Sequence, residues 1–327
     1  MGTIGYGIVG ASGFGTTHAD RLGAIDGADL LAGSARSESS IAPFAEEYDV
    51  RGYTDHVEMF EAEDLDAVSV CTPSGTHAEV AIDAIERGID VLVEKPLDVD
   101  VERADRIVEA ADEHDATVAG VFQRRFTPER WTAKRWLDEG RFGDVLLADT
   151  AVKYHRSQSY YDDWHGTEGA GGGALLQQAI HFVDLLDWLT GGIESVSASA
   201  DTLAHEMDHE DVLVATVGFE NGGYGTIEAT TGVRGATRER VEVNGTEGSY
   251  SSGTFALGDE TVEPDLDEPP CGTGLEGQIR DFVGAVREGR QPIVDAREAR
   301  RAVEVVLAAY ASAELGREVA VGELREL

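Results

Sequence analysis

Two short segments carry the side chains best suited to chemistry. In "DVLVEKPLD", Lys95 closes an apolar run and precedes a proline. That places it at the C-terminal end of a predicted strand, the edge at which open α/β sheets bind ligands. A lone lysine is ordinarily a surface charge, but one pinned there beside a cofactor can assist proton movement. In "QQAIHFVDLLDW", Gln177, His181 and Asp184 follow at offsets of four and three, on one predicted helical face. A histidine so placed suits general acid–base work or a place in the core. The "GAGGG" just upstream lets backbone come close to something flat or bulky.

A third segment fits a nucleotide. "GIVGASGFG" follows the first apolar run and sets Gly10, Gly13 and Gly15 in a turn before a helix that begins near Phe14. Such turns let backbone N–H groups approach a pyrophosphate. Ser12 stands where the second glycine usually falls, and its hydroxyl can donate to a phosphate. NAD-type domains carry an acid at the end of the second strand. Here that strand ends "GSARSES", with Ala35 and Arg36 at the place of the acid. A guanidinium flanked by Ser34 and Ser37 suits a 2′-phosphate. The expected cofactor is NADP, with NAD as the alternative.

The elements that must hold these residues are legible as patterns. Apolar runs "TIGYGIVG", "DLLAGSA", "DAVSVCT", "DVLVEKP" and "TVAGVF" alternate with amphipathic stretches, as parallel α/β units do. From Gln123 the texture changes to period-two segments, "DVLLADTAVKYH", "ESVSASADTLA", "DVLVATVGF", "YGTIEATT" and "RERVEVNGTEGSY". The expected fold is α/β: a doubly wound Rossmann domain over 1–122, then a domain with an open, mostly antiparallel sheet over 123–327. A long amphipathic helix over 297–315 is expected near the end and could pack back on the first domain.

Bulk composition narrows the class. The chain has 327 residues, 63 acidic and 26 basic, for a net charge of −37. That field repels nucleic acid and anionic membranes, and the acids are scattered rather than blocked, as in a protein of a high-salt cell interior. No run of about 18 apolar residues and no basic-then-apolar leader occurs, so a cytoplasmic protein is expected. Cys71 and Cys271 lie too far apart for a thiolate motif, and the one histidine pair at an i, i+4 offset, His205 and His209, falls in an acidic stretch that reads as a loop rather than on a helix. No metal is expected.

Together "GIVGASGFGTTH", "CTPSGTHAEVAIDAIERGIDVLVEKPL", "FQRRF" and "GGGALLQQAIHFVDLL" resemble, in order and over nearly the whole chain, the glucose–fructose oxidoreductase / inositol dehydrogenase (Gfo/Idh/MocA) family. The resemblance implies hydride transfer between nicotinamide and a secondary alcohol of a sugar, sugar derivative or cyclitol, in a homodimer or homotetramer. It implies Lys95 as catalytic lysine and His181 as general acid/base, with the substrate hydroxyl between them. It extends the cofactor set to Thr72, Pro73, His77 and Glu94. Arg124, Tyr154, His155, Arg156, Tyr161, Trp164, Gln177 and Gln178 become candidates for the substrate wall. Gln177 replaces the family's usual aspartate, and an amide cannot share base duty. Where a nucleotide-sugar branch shows W-R-G-T, this chain has Trp164-His165-Gly166-Thr167. The lost arginine charge argues against an anionic nucleotide-sugar substrate.

Two other readings compete. "GASGFGT" also resembles the turn of semialdehyde and acyl-phosphate reductases, but neither cysteine is placed as their nucleophile. A non-catalytic NADP sensor on the same fold is the other; retention of both Lys95 and His181 argues for catalysis.

Overall fold

The computed structural model describes residues 2–162, 164–167, 170–235 and 238–327. The chain divides into two compact units. One comprises residues up to 123 with 270–300, the other 124–269 with 301–327.

In the first unit the apolar runs form β1 (Ile4–Val9), β2 (Ala28–Ser34), β4 (Ala67–Val70), β5 (Asp90–Val93) and β6 (Val118–Gly120), and Arg51–Tyr53 adds a short β3. Every pairing is parallel, in the order β3-β2-β1-β4-β5-β6, the doubly wound arrangement. Helices cover the sheet, so β1 is buried along its whole length. These are α1 (Phe14–Leu22), α2 (Glu38–Tyr48), α3 (His56–Ala62), α4 (His77–Ile85) and α5 (Val101–His114). Short polar residues set their starts: Asp100 caps α5, its carboxylate accepting from the N–H groups of Glu102 and Arg103 at 2.7 and 3.2 Å.

The second unit holds α6 (Pro128–Asp138), β7 (Val145–Lys153), α7 (Gln158–Tyr161), a π-helical turn (Ala174–Ala179) and α8 (Ile180–Thr190). The strands that follow are β8 (Ile193–Asp201), β9 (Val212–Phe219), β10 (Tyr224–Thr230), β11 (Arg238–Gly245), β12 (Gly248–Ser251), β13 (Thr254–Leu257), β14 (Glu260–Val262) and, near the chain end, β15 (Val319–Ala320). The sheet runs β14-β13-β12-β11-β7-β10-β9-β8-β15. Among the described residues it is antiparallel except where β7 meets β10. Period-two patterning does what it predicts: β9 buries Leu213, Ala215, Val217 and Phe219, while Val214 faces outward. α8 packs Val183, Leu186 and Leu189 toward the core over β7 and β11.

Residues 270–300 belong with the first unit, where the boundary at 123 would have placed them in the second. An apolar stripe explains it. Ile279, Phe282 and Val283 of α9 (Gly274–Glu288) are buried with Tyr6, Leu22 and Ile25, and Phe282 meets Tyr6 edge-on at 6.3 Å. The final helix, α10 (Ala296–Leu315), begins against β6: a Cβ on Gly120 would lie 2.3 Å from that of Ala299. No helix of the described residues is long and apolar enough to cross a membrane.

Candidate active site

In the first unit the nucleotide turn is shaped by what its glycines touch. Gly10 has φ +86°, and a Cβ there would fall 2.6 Å from the Cys71 carbonyl. A Cβ on Gly15 would strike the Gly10 carbonyl oxygen at 2.2 Å. These two positions must be glycine for β1, α1 and the end of β4 to approach. Gly13, the residue before α1, has φ +53° and open space in front of it. The N–H groups of Gly10 and Ala11 both donate to the Ser34 carbonyl at 2.9 Å. Gly10 therefore serves by close approach rather than by offering its N–H to a ligand. Ser12 is exposed, and Phe14 is 63 % exposed at the start of α1. A cradle with its packing glycines buried and its Gly13 side open fits a dinucleotide pyrophosphate at the α1 N-terminus.

The end of β2 fits the rest of that cofactor. Arg36 is exposed and makes no ion pair among the described residues. Beside it Ser37 bonds the hydroxyls of Ser39 and Ser40 at 3.1 and 2.8 Å, before α2. Ser34 itself is buried.

Register brings Lys95 to the same edge. Val9 pairs with Val70 and Val70 with Val93, so Gly10, Cys71 and Glu94 are the next residues along three adjacent strands. Two strand spacings, about 10 Å, separate the nucleotide turn from the 94–96 turn. Lys95 is half-buried there, followed by a cis peptide to Pro96. Loop and neighbour are stitched together. The two ring nitrogens of His77 stand 2.8 and 2.9 Å from the carbonyl oxygens of Pro96 and Thr72. Asp98, fully buried, accepts from the N–H of Ala78 at 2.8 Å and from Arg103 Nε at 2.8 Å. His77 is thus a buried strut and not a group aimed at the cofactor. Thr72 and Pro73 remain half-buried beside it, with the Thr72 hydroxyl accepting from Thr76 at 2.9 Å.

Sequence reasoning missed the polar cluster beneath this edge. His18, wholly buried in α1, stands with Nε2 3.0 Å from Glu94 Oε1 and Nδ1 2.9 Å from Ser69 Oγ. Ser69 Oγ in turn lies 2.8 Å from the Tyr6 hydroxyl. The second oxygen of Glu94 accepts the Lys95 N–H at 3.1 Å. Burial alone would push the His18 imidazole down, but its partners Cys71 and Glu94 hold it above the ordinary histidine range. The signal in the sequence was only the histidine of "GFGTTH", three residues after Gly15.

In the second unit the segment expected as one α-helix is π-helical over Ala174–Ala179 before α8 begins. The wide turn takes Gln177 out of the register of α8. Gln177 is buried, His181 half-buried, and Asp184 is committed to Arg125, bidentate at 3.0 and 2.6 Å. A carboxyl clamps the start of this turn. The N–H of Leu175 donates to Glu210 Oε1 at 2.7 Å, that of Leu176 to the Tyr310 hydroxyl at 3.2 Å, and Tyr310 donates to Glu210 at 3.0 Å. Burial lifts the Glu210 carboxyl to about 7.

The wall candidates separate into two kinds. Tyr154, Arg156 and Gln178 come together: Gln178 Oε1 accepts from the Tyr154 hydroxyl and from Arg156 Nη2, and its Nε2 donates to the Tyr160 hydroxyl at 2.8 Å. Trp164 stacks on His165 at 3.8 Å, and His165 lies 4.1 Å from the Tyr160 ring. The others turn their polar groups elsewhere, although the Tyr161 ring meets Tyr160 edge-on at 5.1 Å. Tyr161 is buried and donates to Thr231 at 2.6 Å. Arg124 is drawn to Glu239 on β11 at 2.9 Å, and His155 makes a bridge to Gly232. Tyr160, absent from the sequence-derived set, is central to the cluster.

Comparison with known proteins places this geometry. Residues 4–122 match the oxidoreductase family with an NAD-binding Rossmann fold, and residues 131–251 match the GFO/IDH/MocA C-terminal domain. Inositol 2-dehydrogenase 4 of Saccharopolyspora erythraea is 31% identical over 301 residues, spanning 86% of this chain and 85% of that one. 2,7-Anhydro-N-acetylneuraminate hydratase of Mediterraneibacter gnavus is 30% identical over 234 residues, which span 70% of this chain and 62% of that protein. The WlbA dehydrogenase of Bordetella pertussis, solved in complex with NADH and UDP-GlcNAcA, superposes with a TM-score of 0.87 at 28% identity. The match covers 97% of this chain and 98% of that one.

Proposed function

We propose that this chain, which belongs to the GFO/IDH/MocA oxidoreductase family, is an NADP-dependent dehydrogenase of a secondary alcohol in a sugar, sugar derivative or cyclitol. One observation carries the reading. The close-packed nucleotide turn and Lys95 follow the ends of β1 and β5, two parallel strands held in register by β4 between them through Val9, Val70 and Val93. Relatives named as inositol dehydrogenases support the alcohol as substrate.

When bound, the nicotinamide supplies a site that takes up or returns hydride. Gly13 and the first turn of α1 would hold the pyrophosphate, with Ser12 donating to it. Arg36, without an acidic partner among the described residues, would take a 2′-phosphate with Ser37 beside it. Thr72 and Pro73 would border the ribose side of the cradle. Lys95 stabilises the oxygen that gains negative charge as the alcohol is oxidised. His181 takes the hydroxyl proton as general base and returns it in the reverse direction. Gln177 orients a substrate hydroxyl without accepting its proton. The exposed Leu147, Val214 and Tyr224 on one face of the second sheet support a homo-oligomer built on that face. The composition supports a cytoplasmic, high-salt setting.

The reading is tested by mixing the protein with NADP and a panel of sugars and cyclitols in high salt. Growth of reduced-cofactor absorbance, abolished by Lys95→Ala, is the expected result. Tight NADPH binding with no turnover on any of them would favour the sensor instead.

A further inference from the structure

Arg156 is placed unlike the paired arginines of its unit. Arg125 is held by Asp184, Arg240 by Asp149, and Arg301 by Asp187 and Glu304. Among the described residues no carboxylate lies within ion-pair distance of Arg156, although the chain has 63 acidic residues against 26 basic ones. Neutral groups fix it instead. Its guanidinium lies 5.0 Å from the Tyr154 ring centroid and 4.8 Å from that of Tyr160. Nη2 donates to Gln178 Oε1 at 3.1 Å, and Nε is buried without a partner.

A half-buried cation held by two rings and an amide has lost part of its hydration and, among the described residues, gains no counter-charge. Such a fork is preorganised for a planar anion that arrives with a ligand. The groups that touch it, two tyrosines and an amide, are neutral, so the guanidinium offers one positive charge. That matches a carboxylate and falls short of a phosphate, which carries nearly two. The aromatic strip continues from Tyr160 to His165 and Trp164 at 4.1 and 3.8 Å between rings. This surface suits the apolar face of a sugar ring. Gln178, which fixes Arg156, precedes His181 by three residues, a helical separation on the order of 5 Å.

We propose that the substrate is an acidic monosaccharide or a derivative of one, whose carboxylate pairs with Arg156 between Tyr154 and Tyr160. The inference rests on the dehydrogenase reading and narrows its substrate class. It accounts for the loss of the W-R-G-T arginine at His165: the ligand would carry a carboxylate but no pyrophosphate.

The test compares matched pairs, D-glucuronate with D-glucose, D-galacturonate with D-galactose and D-gluconate with D-glucitol, by calorimetry on the NADP-loaded protein in molar salt. Initial rates of cofactor reduction are read in parallel. At least one acid should bind tenfold or more tightly than its neutral partner. Arg156→Gln should bring that ratio to about one, and Arg156→Lys should keep part of it, with melting curves confirming folded variants. If no acid is preferred over its neutral partner, or if the preference survives Arg156→Gln, the proposal is overturned. Turnover of neutral sugars without any acid preference would sink this inference and leave the dehydrogenase reading standing. Acid preference without turnover of any sugar would do the reverse.

Discussion

The buried imidazole of His18 and the carboxylate of Glu94 face each other at 3.0 Å, one residue before the lysine on which the proposed chemistry depends. Glu94 uses its other oxygen to hold the Lys95 N–H. The helix that starts at the nucleotide turn therefore also sets the backbone of the 94–96 turn. His18→Ala removes the imidazole from that buried carboxylate and should cost about 3–5 kcal/mol in denaturant unfolding. A cost near zero would show that the pair does not hold the turn. His18 is held above the ordinary histidine range in the folded state. Its contribution is thus complete below about pH 6.5 and is lost as pH rises through the folded value.

Arg36 is the residue proposed to separate the two cofactors. A charge-assisted pair to a 2′-phosphate contributes about 1.5–3 kcal/mol. Arg36→Ala should then weaken NADP roughly 10- to 100-fold while changing NAD little, read by cofactor fluorescence titration. Equal losses for both dinucleotides would remove the 2′-phosphate from this arginine.

His181 is the proposed carrier of the proton. Its replacement by alanine should lower the single-turnover rate about 10²- to 10⁴-fold, the usual worth of a general acid–base group, with NADP affinity retained. A rate within a few-fold of wild type would exclude it from the mechanism.

Glu210 links the second unit to pH. Its folded carboxyl sits at about 7, lifted by burial from an ordinary value near 4.5. A raised carboxyl stabilises the fold fully below the unfolded value, and that contribution is lost as pH rises through the folded one. Between roughly pH 4.5 and 7 this amounts to about 3 kcal/mol. Glu210→Gln keeps an acceptor for the Leu175 N–H and for Tyr310. Thermal melts from pH 5 to 8 should show a flatter profile for the variant, and the protection factor of the Leu175 amide, corrected for intrinsic exchange, should lose its pH dependence. Parallel profiles for the two proteins would contradict the assignment.

Much of this was legible in the sequence because it depends on local pattern. Gly10 and Gly15 are forced by close approach, and period-two runs such as Leu213–Phe219 report a half-buried strand directly. β3 was not legible, since three residues around Gly52 show no period. Nor could the return of α9 be read, because its stripe of Ile279, Phe282 and Val283 does not say which core it enters. The π turn at Ala174–Ala179 depends on Glu210 and Tyr310, residues 35 and more positions away. Site residues went astray for the same reason: Tyr161, Arg124 and His77 have the right chemistry, but Thr231, Glu239 and the carbonyls of Thr72 and Pro96 engage them.

The most direct measurement is reduction of NADP, followed by absorbance, in molar salt across sugars, sugar acids and cyclitols, with wild type and Lys95→Ala side by side. The account predicts reduced cofactor with at least one of these alcohols for the wild type and a loss of at least about 10²-fold for the variant. A wild-type protein that binds NADPH and oxidises none of them, or a variant as active as wild type, would contradict it.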